Sequence, residues 1–148
     1  MRIFIILSIS LFLLCLSTQR VFGCNCSEIK PDKNTSKFTY KRWLENFNGA
    51  VFQGRVIKTE EVESSFELVV TFEVNQYWKG VTGQEIIIHT PLNAGACGAP
   101  FRKGEEFFVV ANLNKNHFIT DLCSYFGYTK YKANYLKGLG KGITPVKK

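Results

Sequence analysis

The sequence is poor in the residue types that build most enzyme active sites. Its 148 residues include only two histidines, His89 and His117. Neither has a second histidine or a cysteine at ligand spacing, so both are expected to be structural and no zinc signature is present. No glycine-rich loop joins a strand to a helix, and Gly95, Gly98 and Gly104 fall in turn segments, which excludes a phosphate cradle. Glu60, Glu61 and Glu63 form an acidic cluster, expected in a solvated hairpin loop. A nucleophile with its base, a working carboxylate pair and a metal cluster are thus all missing. The expected class is a binding or inhibitory module with no cofactor of its own, not an enzyme. There are no internal repeats. The one long apolar run, Ile3 to Leu16, is 14 residues, short of the roughly 20 needed to span a bilayer, so no transmembrane segment is expected.

What is present starts with that run. Arg2 precedes it, and a polar stretch ending in Val21-Phe22-Gly23 follows, the pattern of a signal peptide over residues 1–23 cleaved before Cys24. The expected destination is therefore the extracellular space. Val21-Phe22-Gly23-Cys24 also brushes against a bacterial lipobox, which Arg20 and Phe22 fit poorly. Removing Arg2 and Arg20 leaves 17 of the 19 basic residues against the same 12 acidic ones, and the formal net charge falls from +7 to +5.

Cleavage also changes the cysteine arithmetic. Five cysteines are an odd set, but Cys15 departs with the signal and leaves Cys24, Cys26, Cys97 and Cys123. In an oxidising compartment these four are expected as disulfides. Cys24 and Cys26, one residue apart, cannot bridge each other without severe strain. Two connectivities remain: Cys24 with Cys97 and Cys26 with Cys123, or the crossed pairs. Loops this long contribute roughly 4–5 kcal/mol each in the chain-entropy account. A terminus is normally the least ordered part of a domain, yet this one carries two anchors within three residues. In an extended segment Cys24 and Cys26 share one face and Asn25 points to the other. Either a short N-terminal strand is being stapled to a small core, or the terminus is being presented.

Further along, Phe38 to Phe47 has Trp43, Leu44 and Phe47 at helical spacing, stopped by Asn48-Gly49. Ala50 to Lys58 is a β-rich run. Ser65 to Tyr77 alternates, with Phe66, Leu68, Val70, Phe72 and Val74 predicted on the core face. Turns at Lys79-Gly80 and Thr82-Gly83 lead into a strand over Glu85 to Thr90, then a Gly/Ala loop from Pro91 to Pro100. Phe107 to Asn112 and His117 to Cys123 flank a hairpin turn at Asn114-Lys115-Asn116. Short strands with helical material only at the margins favour a mainly β fold, a small closed or nearly closed barrel over a sheet with two bare edges.

From Leu122 to Lys148 there are six lysines and no acidic residue. Tyr128, Tyr131 and Tyr135 are spaced for one helical stripe. The segment 128–148 is expected either to pack those tyrosines on the barrel and finish in a loose Gly/Lys end, or to offer a basic patch to heparan sulfate or another anionic surface. Secretion argues against nucleic acid.

Taken in order, Cys24-Asn25-Cys26, Phe52-Gln53-Gly54-Arg55-Val56, Tyr77-Trp78-Lys79-Gly80, Ala96-Cys97-Gly98, Phe107 to Ala111 and Ile119 to Cys123 resemble the netrin-like (NTR) domain. Within it they are most similar to the inhibitory domain of the tissue inhibitors of metalloproteinases. The resemblance covers about 100 residues, Cys24 to Tyr125. It implies a five-stranded OB-like barrel with short flanking helices over residues 24–127, stapled by Cys24–Cys97 and Cys26–Cys123. It further implies a secreted metalloendopeptidase inhibitor whose partner is a zinc metalloproteinase. The Cys24 amine and carbonyl would chelate the target's zinc and displace its water. Asn25 would enter the specificity pocket, Cys26, Ser27 and Glu28 would follow the cleft, and the loop of Ala94, Gly95, Ala96, Cys97 and Gly98 would line its other side. The chelating amine must be neutral, and an α-amino group titrates at about 7.7–8.0. Three features depart from the family pattern: the cysteines suffice for only two disulfides, Asn25 is larger than the usual Thr or Ser, and Asn25-Cys26-Ser27 is a glycosylation sequon. A second sequon makes Asn34 a glycosylation candidate.

Overall fold

The computed structural model describes residues 23–24, 40–124 and 138–146. Helix α1 (Tyr40–Asn46) is followed by strands β1 (Gly49–Val62), β2 (Glu67–Lys79), β3 (Glu85–Pro91), β4 (Glu106–Asn114) and β5 (His117–Ile119). The strands close in the order β1-β2-β3-β5-β4, with β1 hydrogen-bonded to both β2 and β4. All pairings are antiparallel except β3 with β5. This is the small, closed, mainly β barrel expected from the strand pattern of the sequence, and its five strands agree with the OB-like form that the resemblance implies.

Closure depends on β1 bending. Its register against β2 slips at Val51/Phe52, Gln53/Gly54 and Val56/Lys58, and such bulges increase local twist and turn a strand around a barrel corner. At the middle slip Gly54 lies so close to β2 that a Cβ there would meet the Glu73 carbonyl at 2.6 Å.

Alternate residues of each strand fill the interior. Phe52, Val56, Val70, Phe72, Ile88, Phe107 and Val109 are buried there with Phe101. A chain of edge-to-face rings, Phe52–Phe72 at 5.2 Å, Phe72–Phe101 at 5.1 Å and Phe101–Phe107 at 4.9 Å, crosses this core, the arrangement that ring quadrupoles favour. A second, smaller core lies outside the barrel, where Val51, Phe108 and Val110 pack against Trp43, Leu44, Phe47, Trp78 and Leu139. That explains why Ala50-Val51-Phe52 is apolar without alternation: one face meets the barrel interior and the other meets α1. Lys79 fixes the helix end, its Nζ donating to the carbonyls of Leu44 and Glu45 at 2.7 Å each.

Several boundaries differ from the sequence reading. β1 continues past Lys58 to Val62, so Glu60 and Glu61 are strand residues and only Glu63 belongs to the connecting 3-10 turn. Phe66 is not on the core face: it caps that turn in the left-handed region (φ 53°) and is 72% exposed. β5 is three residues long and ends at Ile119, well before Cys123. The chain end is not loose where it is described. Ile143 exchanges backbone hydrogen bonds with Tyr77 at 2.7 and 2.9 Å, and Trp78 Nε1 donates to the Gly140 carbonyl at 2.9 Å. The tyrosine stripe Tyr128, Tyr131 and Tyr135 lies outside the described residues. No helix among those described is long and apolar enough to cross a membrane.

Candidate functional site

The candidate site is built on the loop that leaves β3. Beyond Pro91, Asn93 is extended and its Oδ1 accepts from the Ala96 amide at 3.0 Å, capping a 3-10 turn over Ala94–Ala96. Cys97 follows in the left-handed region (φ 65°), its N–H donating to the Ala94 carbonyl. The next amide, Gly98, donates to the Asn93 carbonyl at 2.9 Å. Only glycine fits there, since a Cβ would lie 2.0 Å from the Pro91 carbonyl oxygen and 2.9 Å from that of Asn93. One residue on, the Ala99 amide donates to the buried hydroxyl of Thr90 at 2.9 Å. The loop is thus fastened to β3 at both ends while Asn93 to Ala96 stay exposed.

A second segment runs beside it. Thr120 donates its amide to the His89 carbonyl and its hydroxyl to the Val110 carbonyl, and is 1% exposed. Leu122 N–H then donates to the Cys97 carbonyl at 2.7 Å, and the Asp121 carboxylate accepts from the amides of Cys123 and Ser124 at 2.9 and 2.6 Å. Cys97 and Cys123 therefore occupy adjoining stretches of backbone at one end of the barrel.

Cys24 is bonded to Cys97 across 73 residues, with Cα atoms 5.7 Å apart. Its Sγ rests 3.7 Å from the Ala94 carbonyl, a packing contact, since a disulfide sulfur has no proton to donate. Of the site residues expected from the sequence, the structure brings together Cys24, Ala94, Gly95, Ala96, Cys97 and Gly98. Asn25, Cys26, Ser27, Glu28 and Asn34 lie outside the described residues. Cys123 is disulfide-bonded; its expected partner, Cys26, is among the residues not described.

The structure adds two features the sequence reading missed. Phe66 flanks the site, its carbonyl accepting from the Leu92 amide at 2.9 Å, so the tip of the β1–β2 hairpin is tied to the start of the Cys97 loop. His89 and His117 come into ring contact at a centroid distance of 4.8 Å, although 28 positions apart in the chain. No spacing rule signals either contact, because each arises from strand pairing. Among the described residues no group of three or more His, Cys, Asp or Glu is placed to hold a metal ion. An open groove of about 520 Å³ at the opposite end of β2 and β3 is lined in part by Tyr77, Thr82, Gln84, Glu85 and Pro145. No family model matches the chain, and no curated protein matches it significantly.

Proposed function

We propose that the protein is a secreted inhibitor of zinc metalloproteinases, acting through the backbone amine and carbonyl of Cys24 once residues 1–23 are removed. The observation that carries this reading is the clamp on Cys24. The residue expected to begin the mature chain is bonded to a loop that is itself locked by Gly98, Asn93 and Thr90. A terminus used merely to close a core has no need of so rigid a mount beside an exposed loop. A terminus that must deliver two backbone donors to one metal ion does, because fixing it beforehand removes the ordering cost of binding.

In this mechanism the α-amino nitrogen and the carbonyl oxygen of Cys24 take the open coordination position of the target's zinc and expel its water. Asn25 projects into the specificity pocket, Cys26 to Glu28 lie along the cleft, and the exposed Ala94 to Ala96 turn meets the cleft's other wall. The resemblance to the inhibitory netrin-like domain supports the assignment of these roles, and the Cys24–Cys97 bond agrees with the pairing that it implies.

The test begins with the mature N-terminus by mass spectrometry. A free amine on Cys24 is expected, and an acylated amine or cleavage elsewhere would sink the proposal. Purified protein is then assayed against matrix and disintegrin metalloproteinases beside a form carrying one additional N-terminal alanine. The natural form should inhibit and the extended form should not; equal behaviour of the two rules out chelation.

A further inference from the structure

On the outer face of the barrel, β3 and β5 run parallel with His89 opposite Ile119. Alternate residues of a strand share a face, so His117, two positions before Ile119, points to the same side and becomes the diagonal neighbour of His89. Their rings meet at 4.8 Å with planes inclined by 60°. Two imidazoles bound to one ion through bonds of about 2.0–2.1 Å place their centroids roughly 4.5–5.2 Å apart for angles of about 90–110°. The observed separation falls in that interval without any movement of the strands.

The surroundings of His89 also suit a ligand. Its Nδ1 lies 3.3 Å from Glu67 Oε2; an ionised carboxylate only accepts, so this contact favours the tautomer with the proton on Nδ1, which leaves Nε2 as the ligating nitrogen. Glu67 Oε2 is in turn steadied by the Ser65 hydroxyl at 3.3 Å. A carboxylate behind an imidazole, fixing tautomer and ring orientation, is the usual support of a metal-bound histidine. The His89 side chain is 18% exposed, and His117 is exposed.

We propose that His89 and His117 form a two-imidazole site for a divalent first-row transition ion. Cu(II) binds before Zn(II), following the general affinity order for nitrogen donors, and Glu67 acts as the positioning residue. With no third protein donor among the described residues, the ion keeps coordination positions for water or for a group from another molecule. The proposal does not depend on the inhibitory reading.

The experiment uses the disulfide-intact chain, uniformly labelled with nitrogen-15 and titrated with Cu(II) and then Zn(II). Substoichiometric Cu(II) should broaden the His89 and His117 ring signals and the Ile87 and Phe118 amides, and frozen-solution EPR should show two bound imidazole nitrogens. His117→Ala, at an exposed position, should weaken Cu(II) binding at least tenfold with the barrel spectrum intact. Glu67→Gln should weaken it by roughly 10-fold or more, as loss of an outer-shell partner does. Broadening confined to the chain terminus, or His117→Ala binding as tightly as the parent, overturns the site.

Discussion

Leu122 donates its backbone N–H to the carbonyl of Cys97 at 2.7 Å, and this single bond aligns the two stretches of chain that carry Cys97 and Cys123. A chain end with cysteines at alternate positions has both on one face. Neighbouring anchor points are what such an end needs if both are to be engaged. The bond thus links the architecture of the barrel end to the cysteine spacing at the mature terminus.

Gly98→Ala should be among the most damaging single-methyl changes in the chain. The added carbon would have to sit 2.0 Å from the Pro91 carbonyl oxygen, so the loop must shift and loosen its bonds to Asn93 and Thr90. A loss of about 2–4 kcal/mol is expected, as for other changes that force backbone apart in a packed site. Urea denaturation measures it. In the inhibitory reading, the variant's affinity for a target enzyme should fall even under conditions where it is fully folded.

Phe66 and Phe72 should respond in opposite ways. Phe72 is fully buried among Phe52 and Phe101, and Phe72→Ala should cost about 3–5 kcal/mol. Phe66 is exposed and left-handed, a conformation that asparagine tolerates better than a bulky residue. Phe66→Asn should leave stability unchanged or raise it by up to about 1 kcal/mol. A thermal-melt comparison of the two variants decides the matter.

This pair also shows how far the sequence could be read. Alternation in Leu68, Val70, Phe72 and Val74 correctly gave the inward face of β2, since a two-residue period is a direct image of a strand half-buried against a core. The same count carried Phe66 inward, because the pattern holds no information about where the 3-10 turn begins. Pairing between distant strands was equally invisible, which is why His89 and His117 read as unrelated. The Cys24–Cys97 end fared better. Elimination of a Cys24–Cys26 bridge reduced the pairing to two options, and only the resemblance to the netrin-like domain chose between them.

Lys79→Met should detach the end of α1. Nζ serves two carbonyls, those of Leu44 and Glu45, and hydrogen bonds from a charged donor are worth about 1.5–3 kcal/mol each before the exposure of this site is considered. A net loss of about 1 kcal/mol is expected, with earlier amide exchange at Phe47, whose N–H donates to the Trp43 carbonyl. Hydrogen exchange followed by mass spectrometry would detect both. Unchanged exchange at Phe47 would argue that Trp43 and Phe47, stacked at 5.0 Å, hold the helix unaided.

Ile143→Pro should release the chain end. Proline has no N–H to give to the Tyr77 carbonyl, which Ile143 now serves at 2.7 Å. Trypsin cleavage after Lys141 should accelerate several-fold relative to the parent, while the barrel core, which does not involve Ile143, keeps its melting temperature within about 2 °C. An unchanged cleavage rate would mean that the Trp78–Gly140 hydrogen bond and the packing of Leu139 secure the segment.

Among the described residues, the Cys97 loop draws its hydrogen bonds from Asn93, Ala94, Thr90 and Leu122, residues of the barrel and its margin. In oxidative folding this sets an order of events. The reduced chain can complete its barrel and hold Cys97 at its rim, where the sulfur of the incoming terminus is captured at high effective concentration. Disulfide formation is then the last step of maturation and not the seed of the fold, and an oxidant that arrives late finds a receptacle already shaped for the cysteine it must join.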